Sequence, residues 1–155
     1  MEALIRSQYA NGKPTYFRLS DYPHTLKTNT TFGKGTVMQD AGAPVTVMTA
    51  GPLLANVMEA CADLPVNVVS FHTIKPIDRE LVERFRHTRI LVVHDAFGLR
   101  EAINEIPGLW TAYHGLPDIF CNWYGTVQDV RRELGLDPAG VRRAVTQVLA
   151  QPATS

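Results

Sequence analysis

The stretch FHTIKPIDREL, residues 71–81, marks the place where a buried strand ends and a helix begins. The run VNVVSF, residues 66–71, has the β-branched enrichment of a buried strand. Pro76 has no amide hydrogen for a further ladder bond, so residues 73–77 are predicted to form a turn. Asp78 stands directly before the helical pattern RELVERF, and we expect its carboxylate to cap that helix by accepting from first-turn amides.

Strands and helices alternate outward from this turn. Strands are predicted over 45–49, 66–72, 89–94 and 110–114, and helices over 53–63, 79–86, 98–105, 126–134 and 138–149. Gly51 and Pro52 turn the chain into the first of these helices, with Pro52 near its first position. Such alternation is typical of an α/β domain whose parallel sheet is covered on both faces.

The first third of the chain has a different character. A helix end is predicted over 3–10 and a short strand over 15–19, while residues 24–35 are rich in Thr, Asn, Lys and Gly, as in a linker. We therefore place a domain boundary near residue 33, with residues 1–33 and 34–155 as separate parts.

The composition of the chain excludes several function classes. Its 155 residues are 45% hydrophobic, and 15 basic residues balance 15 acidic ones. A chain with balanced charges has no overall electrostatic attraction for nucleic acid or an anionic membrane, and we expect neither as a partner. The N-terminus lacks a signal-peptide pattern, and no apolar run reaches the length of a membrane span. Cys61 and Cys121 stand outside any CxxC spacing, which favours a reducing compartment, the cytoplasm.

Three histidines, His72, His94 and His114, each end a predicted strand. The carboxyl ends of parallel strands share one edge, where open α/β sheets bind ligands, so these imidazoles offer an alternative zinc or proton-transfer site. None has a second ligand at metal spacing, which favours ordinary hydrogen-bonded histidines. His94 and Asp95 are adjacent on a strand and point to opposite faces, which argues against a catalytic dyad.

The remaining candidates are weaker. The turn containing Gly51 and Pro52 has one glycine and no following Lys-Ser or Lys-Thr, so a tight βα turn is favoured over a phosphate cradle. Neither cysteine has the histidine partner of a nucleophile. The aromatic residues Trp110, Phe120, Trp123 and Tyr124 are equally compatible with an interaction patch and with a roof over the last strand.

The motifs nevertheless resemble those of a known family, the transketolases, and they follow one another along the chain in the same order as in that family. The turn HTIKPID, residues 72–78, resembles the Thr-Ile-Lys-Pro-Leu-Asp signature of the transketolase carboxy-terminal domain, while PVTVMTAGP (44–52) resembles its first strand and Gly-Pro turn. HGLPDIF (114–120) and ELGLDPAGV (133–141) are similar to its later motifs, and ALIR with PTYFRLS (3–6, 14–20) to the end of the preceding pyrimidine-binding domain.

The resemblance implies a three-layer α/β/α sandwich with a mixed, mostly parallel sheet of about five strands. It further implies the carboxy-terminal portion or subunit of a transketolase of the pentose phosphate pathway, with thiamine diphosphate and magnesium in the complete enzyme. The expected partners are the diphosphate-binding and pyrimidine-binding domains and a second subunit of a homodimer. No catalytic, cofactor-binding or metal residue is expected in this chain, which should be inactive alone.

Seven residues are expected to act as structural markers of the family. They are Gly51, Pro52, Thr73, Lys75, Pro76, Asp78 and Gly98. Two departures from the family pattern stand out: Asp21 replaces a basic residue that can grip substrate phosphate, and the loop after residue 93 is shorter and keeps only Gly98.

Two other hypotheses remain open at this point. One is a free-standing α/β binding or scaffold module that uses the strand-end histidines or the aromatic residues. The other is the carboxy-terminal domain of a 2-oxoacid dehydrogenase β-subunit, against which Lys75 argues mildly because that group more often has a bulky apolar residue there.

Overall fold

The structure is a computed structural model that describes residues 2–20, 22, 24–120, 122 and 124–152. The helices are α1 Glu2–Gln8, α2 Leu54–Cys61, α3 Arg79–Arg84, α4 Leu99–Asn104, α5 Val127–Glu133 and α6 Pro138–Ala150. The strands are β1 Thr36–Gln39, β2 Val45–Ala50, β3 Asn67–Phe71, β4 Arg89–His94 and β5 Thr111–Gly115.

The five strands form one sheet in the order β1-β3-β2-β4-β5. β2 pairs in parallel with β3 and β4, and β4 pairs in parallel with β5. β1 runs antiparallel to β3 at the edge. The sheet is therefore mixed and mostly parallel, as predicted.

Two apolar layers hold the helices on opposite faces of the sheet. On one face, α2 and α6 pack on Val47, Val68 and Val93. On the other face, α3 and α4 pack on Val69 and Val92. The central strands β2, β3 and β4 are buried along nearly their whole length, and because neighbouring strand residues point to opposite faces, both faces are covered, which confirms the three-layer sandwich.

Local sequence rules located most of these elements. Thr126 caps α5 and Asp137 caps α6 with Pro138 in its first turn, as predicted. Gly135 has φ +67° where α5 ends, a backbone conformation that favours glycine.

Two sequence predictions in the first third of the chain differ from the structure. The strand predicted over 15–19 is wrong, because residues 14–20 have no regular secondary structure and lie outside the sheet whose pairing would stabilise a strand. The prediction missed β1, whose four residues TVMQ are too few to show a clear period and are all only half-buried.

The described residues include no helix that is long and apolar enough to cross a membrane.

Candidate functional site

The turn between β3 and α3 holds the linker that precedes the sheet. Asp78 uses both carboxylate oxygens: Oδ1 accepts from the amide of Leu81 at 3.3 Å, and Oδ2 accepts from the amide of Gly35 at 3.1 Å. Thr73 Oγ1 accepts from the amide of Gly33 at 3.2 Å. The two side chains are each only 8% exposed. Hence the side-chain oxygens of Thr73 and Asp78 accept from the helix and from the linker.

The linker glycines allow this close approach. A side chain at Gly35 would lie 2.6 Å from Leu81 Cδ2 and 3.0 Å from the ring of Phe71. Gly33 has φ +77°, which favours glycine. Lys34, between them, places Nζ 3.5 Å from Asp78 Oδ1, an added ion pair across the same contact. In the sequence these glycines indicated only a linker, and the signal that could have located the contact was the repeat Gly-Lys-Gly together with the capping aspartate.

Lys75 points away from this contact, whereas Pro76 lies beside it, since a Cβ at Gly33 would be 3.7 Å from Pro76 Cγ. Lys75 Nζ lies 2.7 Å from Glu105 Oε1, and its side chain is 69% exposed. The Lys75–Pro76 peptide bond is cis. Lys75 therefore forms a surface ion pair, the kind of pair that contributes little to stability.

The other expected marker residues shape the backbone. Gly51 has φ +65° and precedes Pro52 in a short 3₁₀ turn that leads into α2. Gly98 has φ +108° at the start of α4, and its amide donates to Glu101 Oε2 at 2.7 Å. Both glycines adopt conformations that side chains rarely tolerate.

The three strand-end histidines do not converge. β2 separates β3 from β4, so His72 lies two strand spacings, on the order of 10 Å, from His94. His114 is in register with Val93, so it points to the face opposite to His94. His114 Nε2 lies 2.7 Å from the carbonyl oxygen of Gly135, and His72 Nδ1 lies 2.9 Å from Thr73 Oγ1.

In the part of the chain that the structure describes, no group of three or more His, Cys, Asp or Glu side chains could hold a metal ion. The histidine metal site therefore gains no support from the geometry.

His94 is the most deeply buried of the three histidines. It is 4% exposed, and its Nδ1 is buried without a hydrogen-bond partner among the described residues. Burial lowers the pKa of His94 below its ordinary value, although the nearby Asp95 carboxylate opposes this shift. The imidazole is therefore held in its neutral form.

This burial predicts an acid-sensitive fold. Above the ordinary histidine pKa of about 6.5, both folded and unfolded states are neutral at His94, and the residue adds no pH dependence. As the pH falls below that value the unfolded state binds the proton first, so the free energy of unfolding falls until the lowered pKa of the folded state is reached. Urea unfolding between pH 8 and pH 5 should show this loss, by up to about 1.4 kcal/mol per pH unit.

His94→Gln should flatten the slope, whereas His87→Gln, at an exposed position, should leave it unchanged. Equal slopes in the wild type and His94→Gln would contradict the prediction. Burial also lowers the pKa of the half-buried His72, so a smaller residual slope is expected in His94→Gln.

An ion-paired aspartate follows β4. Asp95 Oδ2 accepts from Arg131 Nη2 at 2.8 Å, and Asp95 Oδ1 lies 3.6 Å from Arg18 Nη1. The Asp95 carboxylate is thus engaged by α5 and by the N-terminal segment. A shallow cleft of about 210 Å³ lies here, between the ends of β4 and β5 and the start of α5, and Leu116 and Val127 line it with Asp95. Arg131 was missed in the sequence, because nothing local links it to a residue 36 positions earlier.

The four aromatic residues do not form one roof. Trp110 packs against the core on the α2–α6 face. Phe120 and Tyr124 are 97% and 100% exposed. Trp123 lies outside the described residues. For Phe120 and Tyr124 the roof interpretation is wrong, and the interaction-patch interpretation remains.

Cys61 has no nucleophilic environment. Cys61 is fully buried in α2, and burial raises the pKa of its thiol to about 11. A thiol with so high a pKa holds very little thiolate at neutral pH. Cys121 and Asp21 lie outside the described residues.

Comparisons with known proteins agree on one family. The sequence model described as "Transketolase, C-terminal domain" matches residues 33–141. The 1-deoxy-D-xylulose-5-phosphate synthase of Thermus thermophilus (strain ATCC 27634) is 29% identical over 160 residues, which cover 94% of this chain and 26% of that protein. The synthase of Vibrio cholerae serotype O1 is 31% identical over 133 residues, which cover 77% of this chain and 21% of that protein. The chain thus spans about a quarter or less of the length of these curated relatives.

Two solved structures share the fold. The chain of "Split gene transketolase, inactive beta4 tetramer" has a TM-score of 0.65 and 28% identity, and the match covers 76% of this chain and 42% of that one. Transketolase from Campylobacter jejuni subsp. jejuni NCTC 11168 has a TM-score of 0.56 and 18% identity, over 75% of this chain and 19% of that one. The second likeness is one of fold alone.

Proposed function

The chain belongs to the transketolase C-terminal domain family, and from that premise we propose that it is a structural portion of a thiamine diphosphate-dependent enzyme. In this proposal residues 34–155 form the carboxy-terminal domain, and residues 1–33 are the end of the pyrimidine-binding domain with its linker. The chain braces the catalytic domains and takes no part in bond making or breaking.

One observation carries this proposal. The signature turn places its buried polar side chains, Thr73 and Asp78, on the backbone amides of Gly33 and Gly35 in the linker. The turn thereby fixes the direction in which the linker leaves the sheet. A linker that is fixed in this way holds the preceding domain in one orientation. Holding that orientation is the bracing role that we propose for this chain.

The residues of this chain do not fit the cofactor. The sequence has no Gly-Asp-Gly followed by Asn, the family motif that holds magnesium and diphosphate. Within the described ranges, moreover, the acidic, histidine and cysteine side chains form no group that could hold a metal ion. We therefore assign thiamine diphosphate and magnesium to the preceding domains or to a separate subunit.

The reaction of the whole enzyme has two candidates. The likeness to a split transketolase favours two-carbon ketol transfer between sugars. The curated relatives quoted above favour 1-deoxy-D-xylulose 5-phosphate synthesis, as their name states. In either case this chain has the same bracing role.

Complementation tests the proposal. A chain from the same organism that carries the diphosphate-binding and pyrimidine-binding domains is mixed with this chain, and both products are assayed: the transferred ketol sugar and 1-deoxy-D-xylulose 5-phosphate. The mixture should gain one activity that neither chain has alone. Failure of the chains to associate in gel filtration would count against the bracing role.

A further inference from the structure

A cleft of about 620 Å³ lies between the linker and the start of α2, and the signature turn does not line it. We call it the linker cleft. Its lining combines apolar and polar side chains, among them Leu26, Pro52, Met58, His24, Asn56 and Arg131. Concave sites for small molecules measure about 300–1,000 Å³ and likewise combine apolar walls with a few polar groups. The linker cleft therefore has the size and the composition of a small-molecule site.

Two side chains that line the linker cleft each have a buried nitrogen without a hydrogen-bond partner among the described residues. The two atoms are His24 Nδ1 and Arg131 Nε. A guanidinium group is always protonated, so its Nε–H is a donor and requires an acceptor. A buried donor without an acceptor costs about 1–3 kcal/mol, and native proteins retain few of them. Because one residue lies in the linker and the other in α5, a ligand in the cleft can supply both missing partners.

The surroundings of Arg131 carry a surplus of positive charge. Asp95 Oδ2 accepts from Arg131 Nη2 at 2.8 Å, and Arg18 Nη1 lies 3.6 Å from the other oxygen of the same carboxylate. One acidic group thus balances two guanidinium groups, which leaves one positive charge. Glu59 also lines the linker cleft, but this residue is exposed, and water and salt weaken the field of an exposed carboxylate. The charge balance beside the buried Nε therefore favours an anion.

The start of α2 adds a second attraction for an anion. Among the described residues, no side chain caps the 3₁₀ turn Gly51–Leu53 or the helix α2 that follows it. The amide hydrogens at a helix start carry partial positive charge and favour anions. Pro52, Ala55 and Asn56 belong to this helical segment and line the linker cleft. The cleft thus adjoins both a positive helix end and a guanidinium group.

We propose that the linker cleft binds a small organic anion. Its carboxylate or phosphate group accepts from Arg131 Nε and forms a hydrogen bond with His24, and its apolar part packs against Leu26, Pro52 and Met58. A guanidinium group suits both kinds of anion, because its N–H donors match the geometry of their oxygens. The inference goes beyond the proposed function, since the cleft is formed by this chain and requires no catalytic chain.

The test is a nitrogen-15 NMR titration of the full chain, at constant ionic strength, with butyl phosphate, butyrate, inorganic phosphate and acetate. The Arg131 Nε–H signal and the amide signals of Leu26 and Asn56 should shift together and saturate, with a dissociation constant of about 1 mM or lower for butyl phosphate or butyrate. That anion should bind at least about fivefold more tightly than inorganic phosphate or acetate, because each buried methylene adds affinity. The tighter of butyl phosphate and butyrate identifies the charged group.

Two variants and two matched controls locate the site. Arg131→Lys keeps a positive charge opposite Asp95 and removes the Nε donor, and His24→Phe keeps a ring without nitrogen atoms. Each should weaken binding at least about fivefold, because hydrogen bonds to charged groups are among the stronger ones in proteins. The controls Arg132→Lys and His87→Phe change exposed residues of the same types and should leave binding unchanged.

Three results would overturn the inference: no saturable shift at Arg131 with any of the four anions, equal affinity in the wild type and both cleft variants, or a control variant that weakens binding as much as Arg131→Lys. Unchanged amide spectra of β2 and β4 show that a variant folds, and His24→Phe provides the test if Arg131→Lys does not fold. The proposed function fails separately, because complementation measures bracing. A chain that binds the anion but never associates with the catalytic chain leaves this inference intact and removes the bracing role.

Discussion

Gly140→Ala is expected to lower the free energy of unfolding by roughly 3 kcal/mol or to prevent folding, a large effect for one added methyl group. A Cβ at this position would overlap the carbonyl group of Gly135 and lie 2.6 Å from its Cα. Both neighbours are backbone atoms at the junction of α5 and α6, so neither can rotate away. The junction would have to open.

Helix propensity and steric overlap predict opposite changes in stability for Gly140→Ala. Gly140 lies in the first turn of α6, and alanine in a helix is favoured over glycine by about 1 kcal/mol. Propensity alone therefore predicts stabilisation, and steric overlap predicts the opposite. Urea unfolding followed by circular dichroism distinguishes the two.

Gly125→Ala is the matched control, because its Cβ would meet only the exposed Asp129 side chain, at 3.0 Å. The nearest of these atoms is Asp129 Cβ, and a shift of a few tenths of an ångström at this exposed helix start relieves the contact, so a loss below about 1 kcal/mol is expected. A Gly140→Ala variant as stable as the wild type would contradict the close approach of the two glycines.

Asp78→Ala is expected to cost about 2–4 kcal/mol, because one side chain serves two amides. Removal of the cap on α3 costs about 0.5–2 kcal/mol. The amide of Gly35 then loses its acceptor in a half-buried place, which adds about 1–3 kcal/mol. Hydrogen exchange at Gly35 and Leu81 should accelerate together.

Asp129→Ala tests whether the large loss of unfolding free energy expected for Asp78→Ala depends on the burial of Asp78. Asp129 also accepts from backbone, at the amide of Thr126, but its side chain is 50% exposed. Water can replace it there, so a loss of about 0.5–1 kcal/mol is expected. If Asp78→Ala costs no more than Asp129→Ala, the linker contact contributes nothing and the bracing argument loses its support.

Short-range rules were sufficient wherever the decisive contacts are local. Pro76 and Asp78 located the turn and the start of α3, since a missing amide and a capping carboxylate act within four residues. β2 and β4 were found because strands that are buried on both faces are mostly apolar. The motifs that resemble the family include these elements, so the fold could be predicted from the sequence.

Long-range pairing limited the rest of the prediction. β1 exists because β3 offers it an antiparallel edge, and residues 15–19, with similar composition, have no such partner. The second bond of Asp78 spans 43 residues, and nothing within the turn itself predicts Gly35 as its donor. The family resemblance identified Thr73 and Asp78 as turn residues, while the structure adds the linker that they hold.

If this chain contributes structure and no chemistry, removal of the exposed Lys75 side chain should leave the activity of the complete enzyme intact. Lys75 is the one ionisable residue of the signature turn that points to solvent, paired with Glu105. The measurement is the activity of the mixture with the catalytic chain, with wild-type chain and with Lys75→Ala side by side. A purely structural role predicts that activity appears on mixing, is equal for both chains and requires association. Loss of activity in Lys75→Ala with association unchanged would contradict it.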